Sequence, residues 1–316
     1  MNEAVIMLDH LSKSYGNVHA VRDLSLQIER GTIFGFLGPN GAGKTTTMRM
    51  LCGLTHPTGG RAAIEGAHVW RDRHEVRTKF GYVPQRFSLY PDLTVAENFR
   101  FFGGAYGVPG SELEQRIGRL LHVIDLEEKR NTAAQSLSGG MRQLLAIGCA
   151  LIHDPRLLFF DEPTAGLDPV HRQQIWNLLY DLSNEGKTIF VTTHYMDEVE
   201  RCTEVGFIEE GRLLAKAPPR ALKSSFRSRL LEIDVEPLMP ALVRLRGLPE
   251  LLGVSLRSGG LRLYASEPEK LIARWREHWP FPDLRLLGER WVEPDMEDVF
   301  TAYSQGYHGV LTKIIP

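Results

Sequence analysis

Gly38-Pro39-Asn40-Gly41-Ala42-Gly43-Lys44-Thr45 decides the fold of this chain. The octapeptide fits G-x-x-x-x-G-K-[ST] in full. Upstream, after the break at Gly31, Thr32 to Leu37 reads as a short buried strand; downstream, Lys44 to Gly53 reads as a helix. A phosphate-binding loop needs that context. Its glycines let backbone amides turn inward around phosphate oxygens, and the helix N-terminus adds the positive end of its dipole. Lys44 can then reach the β- and γ-phosphates of a nucleotide, and the Thr45 hydroxyl can bind Mg²⁺. The bland alternative, a glycine loop without a ligand, is the weaker reading.

A second stretch, Leu157-Leu158-Phe159-Phe160-Asp161-Glu162, is an apolar strand ending in two carboxylates. At the carboxyl end of a parallel strand such groups point into the ligand crevice. Asp161 suits the Mg²⁺ shell, and Glu162 is placed to orient or deprotonate an attacking water. Alone, the pair would mean only a strand end; beside a phosphate loop it gains specificity. A third stretch, Leu137-Ser138-Gly139-Gly140-Met141-Arg142-Gln143, opens a helix with small residues and a hydroxyl, a second anion-binding helix N-terminus. One chain already has one phosphate loop, so the second element makes most sense serving a nucleotide held by another chain.

Around these motifs the pattern alternates strand and helix. Val5 to Leu11 is strand-like, and Val18 to Ile28 alternates with Leu24, Leu26 and Ile28 on one face. Thr94 to Glu97 and Ser111 to Glu114 both fit a capping box, and Leu113, Ile117, Leu120, Leu121 and Ile124 form a helical stripe. Thr188 to Thr193 is a short buried strand. Asp168-Pro169 is an N-cap followed by Pro at the first helical position, and that helix carries Ile175, Leu178, Leu179 and Leu182. The expected fold class is α/β, a parallel sheet with helices on its faces as in P-loop NTPases, followed by a small α+β unit. We expect a nucleotide-binding domain over residues 1–222, a linker over 223–229 and an accessory domain over 230–316. In the last, strand Leu230 to Val235, helix Pro237 to Gly247, hairpin Gly253 to Leu256 with Leu261 to Ala265, helix Glu267 to Trp279 and strand Leu284 to Glu289 give β-α-β-β-α-β, a ferredoxin-like order.

Composition excludes several classes. With 316 residues, 43% apolar and 24% charged, the chain is of ordinary globular make-up. A formal charge of −2 argues against nucleic acid as a partner bound by bulk electrostatics. Cys52, Cys149 and Cys202 are far apart and show neither zinc-ligand nor disulfide spacing. The first ten residues lack the basic n-region of a signal peptide, and the longest apolar runs are too short to span a bilayer, so membrane-spanning helices would have to come from another chain.

With its motifs in order, the first 215 or so residues resemble the ATPase of the ATP-binding cassette (ABC) family. Gly38 to Thr45, with Thr46 after it, matches Walker A, Asp161–Glu162 matches Walker B, and Leu137 to Met141 matches the signature, with Met141 where glutamine is commoner. The resemblance implies that Tyr15 stacks on adenine. It also implies that Gln85, in Tyr82-Val83-Pro84-Gln85, senses the γ-phosphate beside Mg²⁺ and faces a membrane partner. Ala165-Gly166-Leu167-Asp168 would be a dimer-contact loop, and His194 would meet the γ-phosphate. Lys44, Glu162 and His194 are then the catalytic set. Ser138, Gly139 and Gly140 would act on the nucleotide of a second copy. Arg86 to Asn98, Thr193 to Glu198 and Met296 to Phe300 further resemble exporter ATPases of the ABC-2 type. The resemblance implies ATP and Mg²⁺ as cofactors, a homodimer, a polytopic permease partner, and a cytoplasmic place on the inner face of the membrane. It also implies outward transport of drugs, antibiotics, polysaccharides or lipids.

Three rival readings remain. A DNA-repair or chromosome-maintenance ABC ATPase would carry long coiled coils, yet only about fifty residues separate Gln85 from Leu137, without sustained heptads. A ribosome-binding ABC factor usually holds two cassettes, and only one phosphate loop is found here. A binding module without turnover sits badly with Glu162 and His194 both present.

Overall fold

The structure is a computed structural model, and it describes residues 4–85, 89–227 and 229–312. Arg86, Phe87 and Ser88 of the exporter-like run, and Ser228 of the expected linker, lie outside the described residues. Two compact units divide between Leu213 and Leu214, so residues 214–229 group with the second unit.

In the first unit β1 (Ala4–Tyr15) and β2 (Val18–Glu29) form a hairpin. β3 (Ile33–Leu37) leads into α1 (Lys44–Leu51). β4 (Gly59–Ile64), β5 (Ala67–His68), α2 (Arg73–Lys79) and β6 (Phe80–Val83) follow. Then come α3 (Val95–Ala105), α4 (Gly110–Val123) and α5 (Gly139–Leu151). β7 (Leu157–Asp161), α6 (Pro169–Asn184), β8 (Thr188–Thr193) and α7 (Met196–Val199) come next, then β9 (Glu204–Glu209) and β10 (Arg212–Ala217), a strand that crosses the division at Leu213.

A six-stranded sheet runs in the order β10-β9-β3-β8-β7-β6, and the pairs from β9 to β6 are parallel. Every residue of β3, β7 and β8 is buried, as expected of strands covered on both faces. A second, antiparallel sheet, β2-β1-β4-β5, alternates buried and exposed positions along β2, with Leu24, Leu26 and Ile28 inward. One core joins that inward face to Phe34, Phe36, Phe159 and Phe190 of the parallel sheet, with Met48 of α1 among them.

The Thr94–Glu97 capping box is present, with Thr94 accepting from the Glu97 amide. The one expected at Ser111–Glu114 is not. α4 begins two residues earlier, at Gly110 with Pro109 as its N-cap, so Ser111 is already helical. Glu114 instead binds Arg100 of α3 at 2.6 Å and Arg130 at 2.9 Å. Of the stripe that follows, Leu113, Ile117, Leu121 and Ile124 are buried and Leu120 only partly so.

The second unit begins with α8 (Pro219–Lys223) and continues through β11 (Leu230–Glu236), α9 (Leu238–Arg246), β12 (Leu251–Arg257) and β13 (Gly260–Ala265). It ends with α10 (Pro268–Glu277), β14 (Arg285–Val292) and α11 (Met296–Ser304). Its sheet order, β12-β13-β11-β14, is antiparallel throughout, the split βαβ arrangement of ferredoxin-like folds. Leu231, Ile233 and Val235 meet Leu242, Leu245 and Trp275 of the helices on one side. The alternate position, Glu232, is buried and accepts from Arg262 at 2.8 Å. Arg262 also reaches Asp298 of α11 at 2.6 Å. Residues 226–227, expected in a linker, are paired: Phe226 bridges Leu311, and the Arg227 amide donates to Val310.

Candidate functional site

The loop after β3 is shaped by what lies beside it. Gly43 caps α1 with φ 106°, and a Cβ there would stand 2.4 Å from the Ala20 carbonyl oxygen of β2. Only glycine allows that turn so close to a neighbouring strand. The first-turn amides of α1 have no intrahelical partner and face the loop with the positive helix end. Lys44 is only 4% exposed. Its Nζ donates to the carbonyls of Gly38 at 2.7 Å and Pro39 at 3.1 Å, and lies 3.3 Å from Glu162 Oε1.

β7 delivers the two carboxylates beside this loop. Asp161 Oδ1 accepts from Thr45 at 3.2 Å and from Thr192 at 2.7 Å, while the buried Oδ2 has no hydrogen-bond partner. Burial pushes the Asp161 carboxyl above its ordinary value, against those two hydrogen bonds and with Glu162 adding repulsion. Glu162 has a left-handed backbone, φ 50°. Two bonds hold it there: its amide donates to the Thr192 carbonyl at 3.2 Å and the Thr192 hydroxyl at 3.0 Å. Its side chain turns to Gln85 Nε2 at 3.1 Å and His194 Nδ1 at 3.1 Å. These groups border a cavity of about 520 Å³, lined by Ala20, Asn40, Gly41, Gly43, Lys44, Thr45, Thr46, Gln85, Glu162, Ala165 and His194. That volume is ample for a nucleotide's phosphates.

The remaining residues lie apart from this cavity. Tyr15 ends β1, 49% exposed, with Lys13 Nζ 4.8 Å from its ring centroid. Ser138 caps α5 and accepts from the Met141 amide at 3.2 Å. Asp168 caps α6 and accepts from Val170 and His171 amides. Gly140 and Asp168 share a neighbour: a Cβ on Gly140 would fall 2.0 Å from His171 Cδ2, and His171 Nδ1 bonds Asp168 Oδ2. Gly140→Ala must therefore push the His171 ring away from Asp168. ATP turnover is expected to fall about tenfold with ATP affinity kept, as read by phosphate release and equilibrium nucleotide binding.

Sequence reasoning gave Thr192 no role; it is one of three threonines in the strand Thr188–Thr193. In the parallel register Thr192 stands opposite Asp161, which explains its place between both carboxylate residues.

Residues 21–165 match the ABC transporter family. The chain is 40% identical over 303 residues to "Nod factor export ATP-binding protein I" of Ralstonia nicotianae, covering 94% of this chain and 92% of that one. It is 41% identical over 222 residues to "Probable multidrug ABC transporter ATP-binding protein YbhF" of Escherichia coli, covering 70% of this chain and 38% of that longer one. Among solved structures it is similar to cbiO1 from Clostridium perfringens, part of the ABC transporter complex cbiONQ, with TM-score 0.64, 28% identity and coverage of 70% and 91%. It is also similar to the dimeric post-hydrolysis state of the ATP-binding cassette MJ0796 bound to ADP and Pi, with TM-score 0.62, 29% identity and coverage of 67% and 98%. The convergence of Lys44, Thr45 and Glu162 on one cavity, with Asp161 behind Thr45 at the strand ends of a cassette fold, accords with those likenesses, and the chain belongs to the ABC transporter family as one of its ATP-binding, ATP-hydrolysing subunits.

Proposed function

We propose that two copies of this chain hydrolyse ATP in shared sites and drive outward transport through a separate polytopic permease. One observation carries the reading. Lys44, Gln85 and His194 converge on the Glu162 carboxylate in one cavity, while Ser138, Gly139, Gly140 and Asp168 of the same chain lie away from it. Each copy thus offers half of an enclosed site. The loop amides of Gly38 to Gly43 and the Thr46 turn hold phosphates, Tyr15 covers the adenine, and the partner's Ser138 and Gly140 close over the γ-phosphate. Glu162 draws the proton from the attacking water, and His194 and Lys44 hold the transferring group in line. Closure of the dimer excludes bulk water.

The donors fit Mg²⁺. Among the described residues no group of three or more His, Cys, Asp or Glu could hold a metal by itself. Magnesium is satisfied by one carboxylate with substrate phosphates and waters. Asp161 Oδ2, buried without a partner, and the Thr45 hydroxyl would hold it, with the Gln85 amide oxygen as the further ligand the family resemblance implies. When bound, the ion neutralises phosphate charge.

No helix among the described residues is long and apolar enough to cross a membrane, and the family likeness supports a separate permease with this subunit on its cytoplasmic face. The relatives named for Nod factor export and multidrug transport support the outward direction. An exposed aromatic pair follows Gln85 in sequence: Tyr90 and Phe101, with ring centroids 4.3 Å apart and Phe101 46% exposed. Phe101→Asp is expected to leave the folded chain's melting temperature and nucleotide binding unchanged. It should abolish co-purification of the native permease, of about six spans, from detergent-solubilised membranes. A native chain that never retains such a partner would refute the transport reading.

A further inference from the structure

We propose that Glu198 is a positioning residue for ATP hydrolysis, whose carboxylate ties the loop carrying His194 to the loop that leads from Glu162 to Asp168. The inference rests on the reading of His194 as a group that meets the γ-phosphate. Glu198 is 1% exposed, although it lies on a helix of only one turn, α7. Burying a carboxylate is costly unless hydrogen-bonding donors surround it. Here the donors come from three separate segments. The Thr164 hydroxyl donates to Oε1 at 2.6 Å, the Thr193 hydroxyl to Oε2 at 2.6 Å, and Arg172 Nη2 of α6 to Oε1 at 3.0 Å.

Each donor is attached to the machinery. Thr164 stands two residues beyond Glu162, in the turn that runs on to Asp168. Thr193 immediately precedes His194, and its oxygen also accepts from the Tyr195 amide at 3.0 Å. The backbone on both sides of His194 is therefore anchored through one hydroxyl, whose single hydrogen goes to Glu198. Arg172 adds a third tie: its guanidinium carbon lies 4.4 Å from the centroid of the Tyr195 ring, itself 4.1 Å from the His194 ring. A shift of the Thr164–Asp168 loop, which faces a second copy in the proposed dimer, reaches His194 through this carboxylate, alongside the direct Glu162–His194 hydrogen bond.

The test is a double-mutant cycle in the full chain, reading kcat and KM for ATP, with melting temperature as a control. Glu198→Gln keeps the shape but loses the charge on which the donors converge. It is expected to lower kcat about tenfold, with KM within about twofold. In a His194→Ala background the same substitution is expected to cost less than about twofold, because a residue that acts through His194 has nothing left to position. A merely structural Glu198 would instead impose its full cost in both backgrounds. Thr164→Val, isosteric and tied to only one arm, is expected to lower kcat in the same direction, and it carries the test should Glu198→Gln not fold. Native kcat in the folded variants, or an undiminished loss when His194 is already alanine, overturns the inference. Native turnover in His194→Ala alone overturns the reading of the site beneath it.

Discussion

Glu162→Gln is expected to reduce steady-state ATP hydrolysis by on the order of a hundredfold or more while ATP still binds, and to hold two copies together in ATP. The substitution keeps the shape of a side chain whose surroundings are all donors: Lys44 Nζ at 3.3 Å, Gln85 Nε2 at 3.1 Å and His194 Nδ1 at 3.1 Å. The amide oxygen of glutamine can still accept from Gln85 and His194, and Lys44, which would then face the NH2 group, keeps the Gly38 and Pro39 carbonyls as acceptors, so the cavity should survive. What is lost is the anionic oxygen proposed to take a proton from water. Removing that charge also removes a competitor for Lys44 and a repulsion against the γ-phosphate, so affinity should hold or rise. With the γ-phosphate uncleaved, the bridge between two copies persists. Light scattering of the permease-bound subunit at saturating ATP should show a lasting dimer of cassettes. Variant and native protein that both stay monomeric there would sink the shared-site account.

Much of this site was legible because the motifs lie at the ends of strands buried on both faces. β3 and β7 read as short apolar runs bounded by Gly31, Gly38 and the Asp161–Glu162 pair, and no competing period disturbed them. The second unit's β-α-β-β-α-β order was legible in part from β11, where Leu231, Ile233 and Val235 alternate with acidic residues, although every residue of β13 is buried. Hydrogen-bond partners were not legible. Ser111 and Glu114 satisfy a capping pattern, but Arg100 and Arg130 compete for the glutamate, and distant arginines cannot be seen from a four-residue window. In sequence, Met296 to Phe300 carries only a family likeness. That it opens a helix whose own capping box joins Asp295 and Asp298, and that Asp298 is buried against Arg262 and Tyr264, follows only once β13 is in place. Glu198 shows the same limit most sharply. In sequence it is one acid among Asp197, Glu198 and Glu200, with nothing to separate a solvated carboxylate from a buried one. The structure separates them through the Thr164 and Thr193 hydroxyls.

Lys44→Ala should be the more complete lesion, removing nucleotide binding and, with it, turnover by on the order of a thousandfold. The ammonium is nearly enclosed, so its charge acts through little water and is worth more than a surface lysine's. It lies 3.3 Å from Glu162, and its charge also favours the ionised form of Asp161. Without it, Glu162 keeps only the Gln85 and His194 hydrogen bonds, and the buried Asp161 carboxyl, already pushed up by burial, loses a charge that favoured its ionised form. Two neighbouring carboxylates would then face the incoming phosphates with no compensating charge beside them. The effect should therefore appear in binding as well as catalysis, which distinguishes it from Glu162→Gln. In the double variant the absent lysine should prevail: no ATP-held dimer should form, since a bridge requires that the phosphates be bound first. Isothermal titration with ATP, on protein whose melting temperature matches the native chain, would read this directly. Undiminished turnover in folded Lys44→Ala would mean that the loop Gly38 to Thr45 holds no phosphate, and neither the half-site geometry nor the family likeness could then preserve the proposed mechanism.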